Sequence, residues 1–165
     1  MKKLFFQCLL VILVFSPFAM AGADDAPLDL GNGWMFSRNI DPMTDKNRSH
    51  LMKIEEGGAI FVKCWGEGKY EPAWMFKRYL TDETEFQYRF DSESPISVSS
   101  GQMHTSNKVL ILDTQPDFIA NMQKHGRLVL RAVDGSDGEV ITAIYDLKGF
   151  ASALKYANEN APCRD

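Results

Sequence analysis

The sequence predicts a mainly β chain: an antiparallel β-sandwich-like single domain over residues 34–165 with two short helices, the C-terminal one tied to a strand by a disulfide. Most of the body alternates apolar and polar residues between turns of Gly, Pro, Asn and Asp, which is the period of half-buried strands. Only two stretches, near residues 114–126 and 149–160, repeat their apolar positions at three and four, as helices do. Cysteine counting supplies the disulfide, as follows.

Met1-Lys2-Lys3 is a short positive region, residues 4–18 are apolar, and Ala19-Met20-Ala21 is a small-x-small cleavage pattern. Residues 1–21 therefore read as a secretory signal peptide. The alternative, an uncleaved anchor, needs roughly 20 apolar residues to span a bilayer; Gln7 dilutes the run and Ser16-Pro17 breaks it. Cys8 lacks the small residues and leucine that precede a lipid-modified cysteine. Cleavage leaves 144 residues with 16 basic against 22 acidic groups, a net charge of -6, in a periplasmic or secreted protein with no membrane span. It also leaves two thiols, Cys64 and Cys163, which an oxidising compartment is expected to join. The loop spans 99 positions, for which chain entropy gives about 4 to 5 kcal/mol. The alternative is two unpaired buried thiols, which a mass shift on reduction distinguishes.

The whole chain of 165 residues is 45% hydrophobic and 24% charged, the proportions of one ordinary globular domain. Its 18 Lys+Arg against 22 Asp+Glu give a net charge of -4, which excludes a general nucleic-acid binder, since phosphates need a basic field.

Residues 22–33 are rich in Asp, Gly and Pro and read as a flexible leader. Residues 34–38 open the first strand. Residues 49–54 and 59–65 flank Glu55-Glu56-Gly57-Gly58 as a hairpin, with apolar Leu51 set apart from polar His50 and Lys53. After a second turn at 66–69, residues 71–79 form a strand with Pro72 near its start. Residues 84–90 place Phe86, Tyr88 and Phe90 on a core face and Glu85, Gln87 and Arg89 on the other. A turn at 91–95, a short edge strand at 96–99, a polar connection at 101–107 and an apolar strand at 108–112 follow. The first helix starts near Thr114, where Pro116 sets φ and Asp117 favours the positive end; Phe118, Ile119 and Met122 form its stripe and Gly126 closes it. Residues 127–133 and 139–146 bracket Asp134-Gly135-Ser136-Asp137-Gly138 as a second hairpin. The last helix, 149–160, carries Phe150, Ala153, Leu154 and Ala157 on one stripe, and Cys163 beyond Pro162 fastens its end to the Cys64 strand.

No catalytic residue stands out. There is no G-x-S-x-G, no free thiol once the disulfide forms, and no histidine spaced with a carboxylate as in a triad. His50, His104 and His125 are scattered singly, so no metal or cofactor is expected. The acidic pairs Asp24-Asp25, Glu55-Glu56 and Asp82-Glu83 fall in the leader or in turns. Asp134, Asp137 and Glu139 lack the ligand spacing of a calcium loop and read as a charged hairpin turn. Gly66-x-Gly68 has no following helix and is not a phosphate loop.

Recognition candidates come from aromatics and from one charged pair. Trp34, Trp65, Tyr70, Trp74, Phe76 and Tyr79 are first of all core, with Trp74 and Phe76 on one strand face and Met75 and Lys77 on the other. Trp65 and Tyr70, beside a glycine turn, are the pair expected to be exposed. Arg89 and Asp91 flank Phe90 and are read as an ion pair or a recognition spot; a surface pair contributes only ~0 to 1 kcal/mol, so stability is a weak reason for it.

Ile60-Phe61-Val62-Lys63-Cys64, Phe86-Gln87-Tyr88-Arg89-Phe90-Asp91, Asp117-Phe118-Ile119, residues 143–150 and the final Cys163 share an order and spacing that resembles the VasI/TagO-type proteins. Trp34 with Asp41-Pro42-Met43-Thr44-Asp45 is similar to that family's opening. Residues 96–99 lack the Trp the family often carries there. The resemblance covers most of residues 34–163 and implies a β-sandwich-like domain, an exported accessory role associated with type VI secretion, and no established enzymatic activity.

The expected function is thus a non-enzymatic periplasmic accessory or binding protein of the bacterial envelope with a protein partner. One alternative is an inhibitor or exclusion factor acting on a foreign cell-wall enzyme or phage component, which an acidic surface would steer towards a cationic target. Another is a hydrolase or sugar-binding enzyme with an unrecognised site. The oligomeric state is not legible in the sequence.

Overall fold

A computed structural model describes residues 26–64, 68–99, 104, 108–112 and 117–163. The signal segment at 1–21, Trp65 and the start of the first helix at Thr114 and Pro116 lie outside the described residues.

Among the described residues ten strands and two helices follow in the order β1 (Leu28–Asp29), β2 (Met35–Ser37), β3 (His50–Glu55), β4 (Gly58–Cys64), β5 (Tyr70–Met75), β6 (Glu85–Phe90), β7 (Ile96–Val98), β8 (Val109–Ile111), α1 (Phe118–Lys124), β9 (Arg127–Val133), β10 (Val140–Asp146) and α2 (Phe150–Asn160). They make two antiparallel sheets, of order β1-β2-β3-β4-β5-β8 and β10-β9-β6-β7. Alternation puts Leu51, Ile60, Val62 and Trp74 from the larger sheet and Phe86, Tyr88, Phe90, Leu128, Leu130 and Tyr145 from the smaller into one buried cluster. α2 lies against β3 and α1. It buries Phe150, Ala153, Leu154 and Ala157, the stripe read from its spacing. Trp34 meets Phe150 with ring centroids 4.9 Å apart, both fully buried.

The turns explain the hairpins. Glu55 pairs with Gly58, so Glu56-Gly57 is a two-residue loop. Gly58 has φ +141, a conformation L side chains rarely adopt, and a Cβ there would fall 2.2 Å from the Met75 carbonyl oxygen. Gly57 is needed for space instead: a Cβ would lie 2.4 Å from the Thr142 carbonyl oxygen, where the hairpin tip abuts β10.

Four readings change. The leader at 22–33 is not loose throughout, because Leu28 and Asp29 pair with Phe36 and Met35. The Gly31-Asn32-Gly33 run that reads as disorder instead supplies three positive-φ residues (85°, 53° and 78°) for a hairpin turn. Lys53, read as polar and set apart from Leu51, shares Leu51's inward face, as a period of two requires. It is 5% exposed; its ammonium donates to the carbonyls of Asn32 (2.8 Å) and Asp146 (2.7 Å) and sits 5.7 Å from the Trp34 ring centroid. The 71–79 strand stops at Met75, and the Phe76 amide donates to the Lys108 carbonyl at 2.8 Å. The first helix, expected from near Thr114, runs from Phe118 with Asp117 as its N-cap, in a left-handed conformation (φ 56) without a side-chain hydrogen bond.

Candidate functional site

β6 carries Phe86, Tyr88 and Phe90 inward, which turns Glu85, Gln87 and Arg89 to the outer face of the four-stranded sheet. On that face Arg89 stands opposite Val129, and Val129 opposite Ile144; one step along, Gln87, Arg131 and Thr142 form the next row, and Glu85, Val133 and Val140 the one after. Val140 and Ile144 are about half exposed, at 50% and 54%. A hollow of about 270 Å³ opens between Arg89, Arg131, Gln87, Pro95, Val129 and Thr142. Among the described residues no carboxylate comes within ion-pair distance of Arg89 or Arg131. Arg131 was not singled out in the sequence. The Arg-Leu-Val-Leu-Arg alternation of residues 127–131 holds the signal, since period two puts Arg131 on the face opposite Leu128 and Leu130.

Asp91 does not pair with Arg89. It ends β6 at φ 44 and joins the strand to the α1–β9 corner. Its carboxylate accepts the Arg127 amide at 2.8 Å and the Gly126 amide at 3.4 Å, and lies 2.9 Å from His125 Nδ1. The Arg127 guanidinium donates to the Asp91 carbonyl at 3.0 Å. The hydrogen bond from His125, followed by those backbone amides, holds the Asp91 carboxyl below the usual carboxylate range. His125 in turn stacks on Phe90 at 5.2 Å, with Nε2 3.7 Å from Glu93. The arrangement fastens a corner of the fold. Its motif spacing to Arg89 is a consequence of the strand's end.

Tyr70 is buried, against its expected exposure, at 8%. Its hydroxyl donates to the Ala161 carbonyl at 2.7 Å, just past α2, and burial pushes the phenol up. It sits in register with Cys64, which is bonded to Cys163 with a Cα–Cα distance of 5.5 Å. Asn47 completes the anchorage, donating to the carbonyls of Ala161 (2.8 Å) and Pro162 (3.1 Å) while its Oδ1 accepts the Ser49 amide (2.8 Å). The glycine turn beside Tyr70 is what made it read as exposed; the partner that buries it lies 91 positions away. A hollow of about 510 Å³ between β5, α1 and α2 has Glu71, Phe118, Gln123 and Leu154 among its walls, and Glu71 is paired with Lys69 at 3.3 Å.

The charged hairpin turn is an ion cluster. Arg78 reaches Asp134 (2.5 Å), Asp137 (2.9 Å) and Glu139, so it ties the segment after β5 to the β9–β10 turn. The Asp134 carboxyl also accepts the Ser136 amide and hydroxyl, both at 2.9 Å, and the Thr81 hydroxyl at 3.0 Å. With the Ser136 amide first, then its hydroxyl, Arg78 and Thr81, these donors lower its pKa from 3.8 to about 2. A folded-state pKa below the unfolded one contributes stability above the unfolded value that is lost as pH falls towards the folded one. The urea midpoint is therefore expected to fall more steeply from about pH 5 to about pH 2 in the wild type than in Asp134→Asn. Parallel midpoint curves would contradict this. Among the described residues no group of three or more His, Cys, Asp or Glu side chains is placed to hold a metal ion, and no helix is long and apolar enough to cross a membrane.

No family model matches the chain, and no curated protein matches it. Among solved structures it is similar to the crystal structure of invasion associated protein B from Bartonella henselae, with a TM-score of 0.59 and 13% sequence identity over 79% of this chain and 94% of that one. At that identity the likeness concerns the fold.

Proposed function

We propose that the protein is a non-enzymatic, exported binding or accessory protein of the bacterial envelope that presents the outer face of its four-stranded sheet to a protein partner. The observation that carries this reading is that face itself: half-exposed Val140 and Ile144 beside Arg89 and Arg131, on a sheet whose other side buries Phe86, Tyr88, Phe90, Leu128, Leu130 and Tyr145. An exposed apolar patch rimmed by polar groups is a usual mark of a protein contact. The signal-like segment and the Cys64–Cys163 bond fit an oxidising compartment. Support for a role without turnover comes from the engagement of Asp91, His125 and Asp134 in fastening loops. The association with type VI secretion rests on the VasI/TagO-like motifs and belongs to the same proposal.

The test is crosslinking of the mature protein in envelope extract from its native cell, followed by affinity recovery. A specific partner, recovered less well by Arg89→Ala, is expected; recovery of none would overturn the reading. A turnover screen that found hydrolysis by the pure protein would overturn the non-enzymatic half.

A further inference from the structure

We infer that the outer face of the four-stranded sheet is a docking surface for an acidic protein segment, whose carboxylates are taken by the guanidinium groups of Arg89 on β6 and Arg131 on β9. The inference rests on the binding reading above and adds the chemistry of the partner.

The registers make Arg89 and Arg131 diagonal neighbours, because Arg89 faces Val129 and Arg131 follows two residues on along the same strand. Diagonal positions on one sheet face have Cα atoms roughly 7–8 Å apart, within reach of long side chains. Two like charges at that separation repel, and among the described residues no carboxylate forms an ion pair with either arginine. Glu85 is the closest acid by register: it stands diagonal to Arg131, as Arg89 does, and lines a hollow of about 90 Å³ with it without an ion pair forming. The face also inverts the charge of the chain. Arg89, Arg127 and Arg131 stand on it against Glu85 and Asp146, whereas the whole protein carries -4. A carboxylate entering the hollow between the two arginines would meet two planar forks of donors, with the Gln87 amide and the Thr142 hydroxyl on its walls.

The surroundings favour a protein segment over a polyanion. Val129, Val140 and Ile144 lie beside the arginines and offer contact for apolar side chains between the acidic ones. A nucleic acid or sulfated polymer would find only a small positive patch on a protein whose overall field repels it. Successive side chains of an extended segment point to opposite faces, so acidic and apolar residues two positions apart share the face turned to the sheet and match the spacing of its rows.

The test is a fluorescence-anisotropy titration of the mature wild-type protein with a short labelled peptide of repeating Glu-Ser-Val-Ser, whose Glu and Val share one face when extended, and with its counterpart that has Lys in place of Glu. The acidic peptide is expected to bind and the basic one not to. Arg89→Glu and Arg131→Glu should each weaken binding by on the order of tenfold, the effect of losing a charge-assisted hydrogen bond. Arg89→Gln/Arg131→Gln repeats the measurement without introducing acidic groups, and its circular dichroism should match the wild type. No binding of the acidic peptide, equal binding of the basic one, or undiminished binding by the folded Gln pair would overturn the inference. A crosslinked envelope partner recovered equally by wild type and the Gln pair would also overturn it while leaving the binding reading intact; recovery of no partner at all would remove that reading instead.

Discussion

Cys163→Ser lowers the stability of the protein by roughly 2–5 kcal/mol, and in the wild type a reductant has the same effect. The Cys64–Cys163 bond closes a loop with a sequence separation of 99, and tying so long a loop removes about 4 to 5 kcal/mol of chain entropy from the unfolded state. Against a usual total of about 5–15 kcal/mol this is a large share. The serine variant is also expected to loosen the chain end, but not to release it. Asn47 and Tyr70 still donate to the Ala161 carbonyl. Urea melts with and without reductant measure the effect, with reduction leaving Cys163→Ser unchanged. A variant as stable as the oxidised wild type would show that these two hydrogen bonds and α2 suffice.

Phe150→Ala is the second large loss, expected at about 3–5 kcal/mol because a fully buried aromatic side chain leaves a cavity that rigid neighbours fill poorly. Phe150 is the first residue of α2 and packs on Trp34. Trp34 in turn lies beneath the Lys53 ammonium that bridges Asn32 and Asp146. The substitution therefore loosens the helix start and the N-terminal hairpin together. Thermal unfolding followed by tryptophan fluorescence should show a lower midpoint and a red-shifted native spectrum. Phe150→Leu, which keeps most of the volume, should lose less than half as much. An alanine variant within about 1 kcal/mol of the wild type would mean that the helix slides to refill the space.

The elements were legible where one local rule decided them. The alternation of residues 85–90, the glycine turn at 57–58, the Asp-Gly-rich turn between β9 and β10, and the three-and-four spacing of α2 all folded as their periods indicate. The disulfide followed from counting thiols. Distant partners decided what was misread. Tyr70 is buried by the chain end 91 positions away, and Lys53 takes a carbonyl 93 positions on. No local pattern encodes such contacts. Asp91 misled in a different way, since a charged residue next to Arg89 is as natural for a strand terminus bound to the next corner as for a contact site. Of the candidate face, Arg89 was visible from β6 alone. Arg131 required knowing that β9 lies beside β6, an order that crosses two intervening strands and a helix in the chain.

Lys53 and Gly57 have one consequence for how this molecule can meet others. β10 borders the smaller sheet and is seven residues long, enough to seed pairing with a foreign strand. The Lys53 ammonium occupies the carbonyl of Asp146, and the hairpin tip at Gly57 covers that of Thr142, two residues of the same parity along the strand. The larger sheet thus stands guard over the border of the smaller one. A visitor is denied a continuous ladder there and is left with side chains, so selectivity in any encounter with β10 falls to charge and shape.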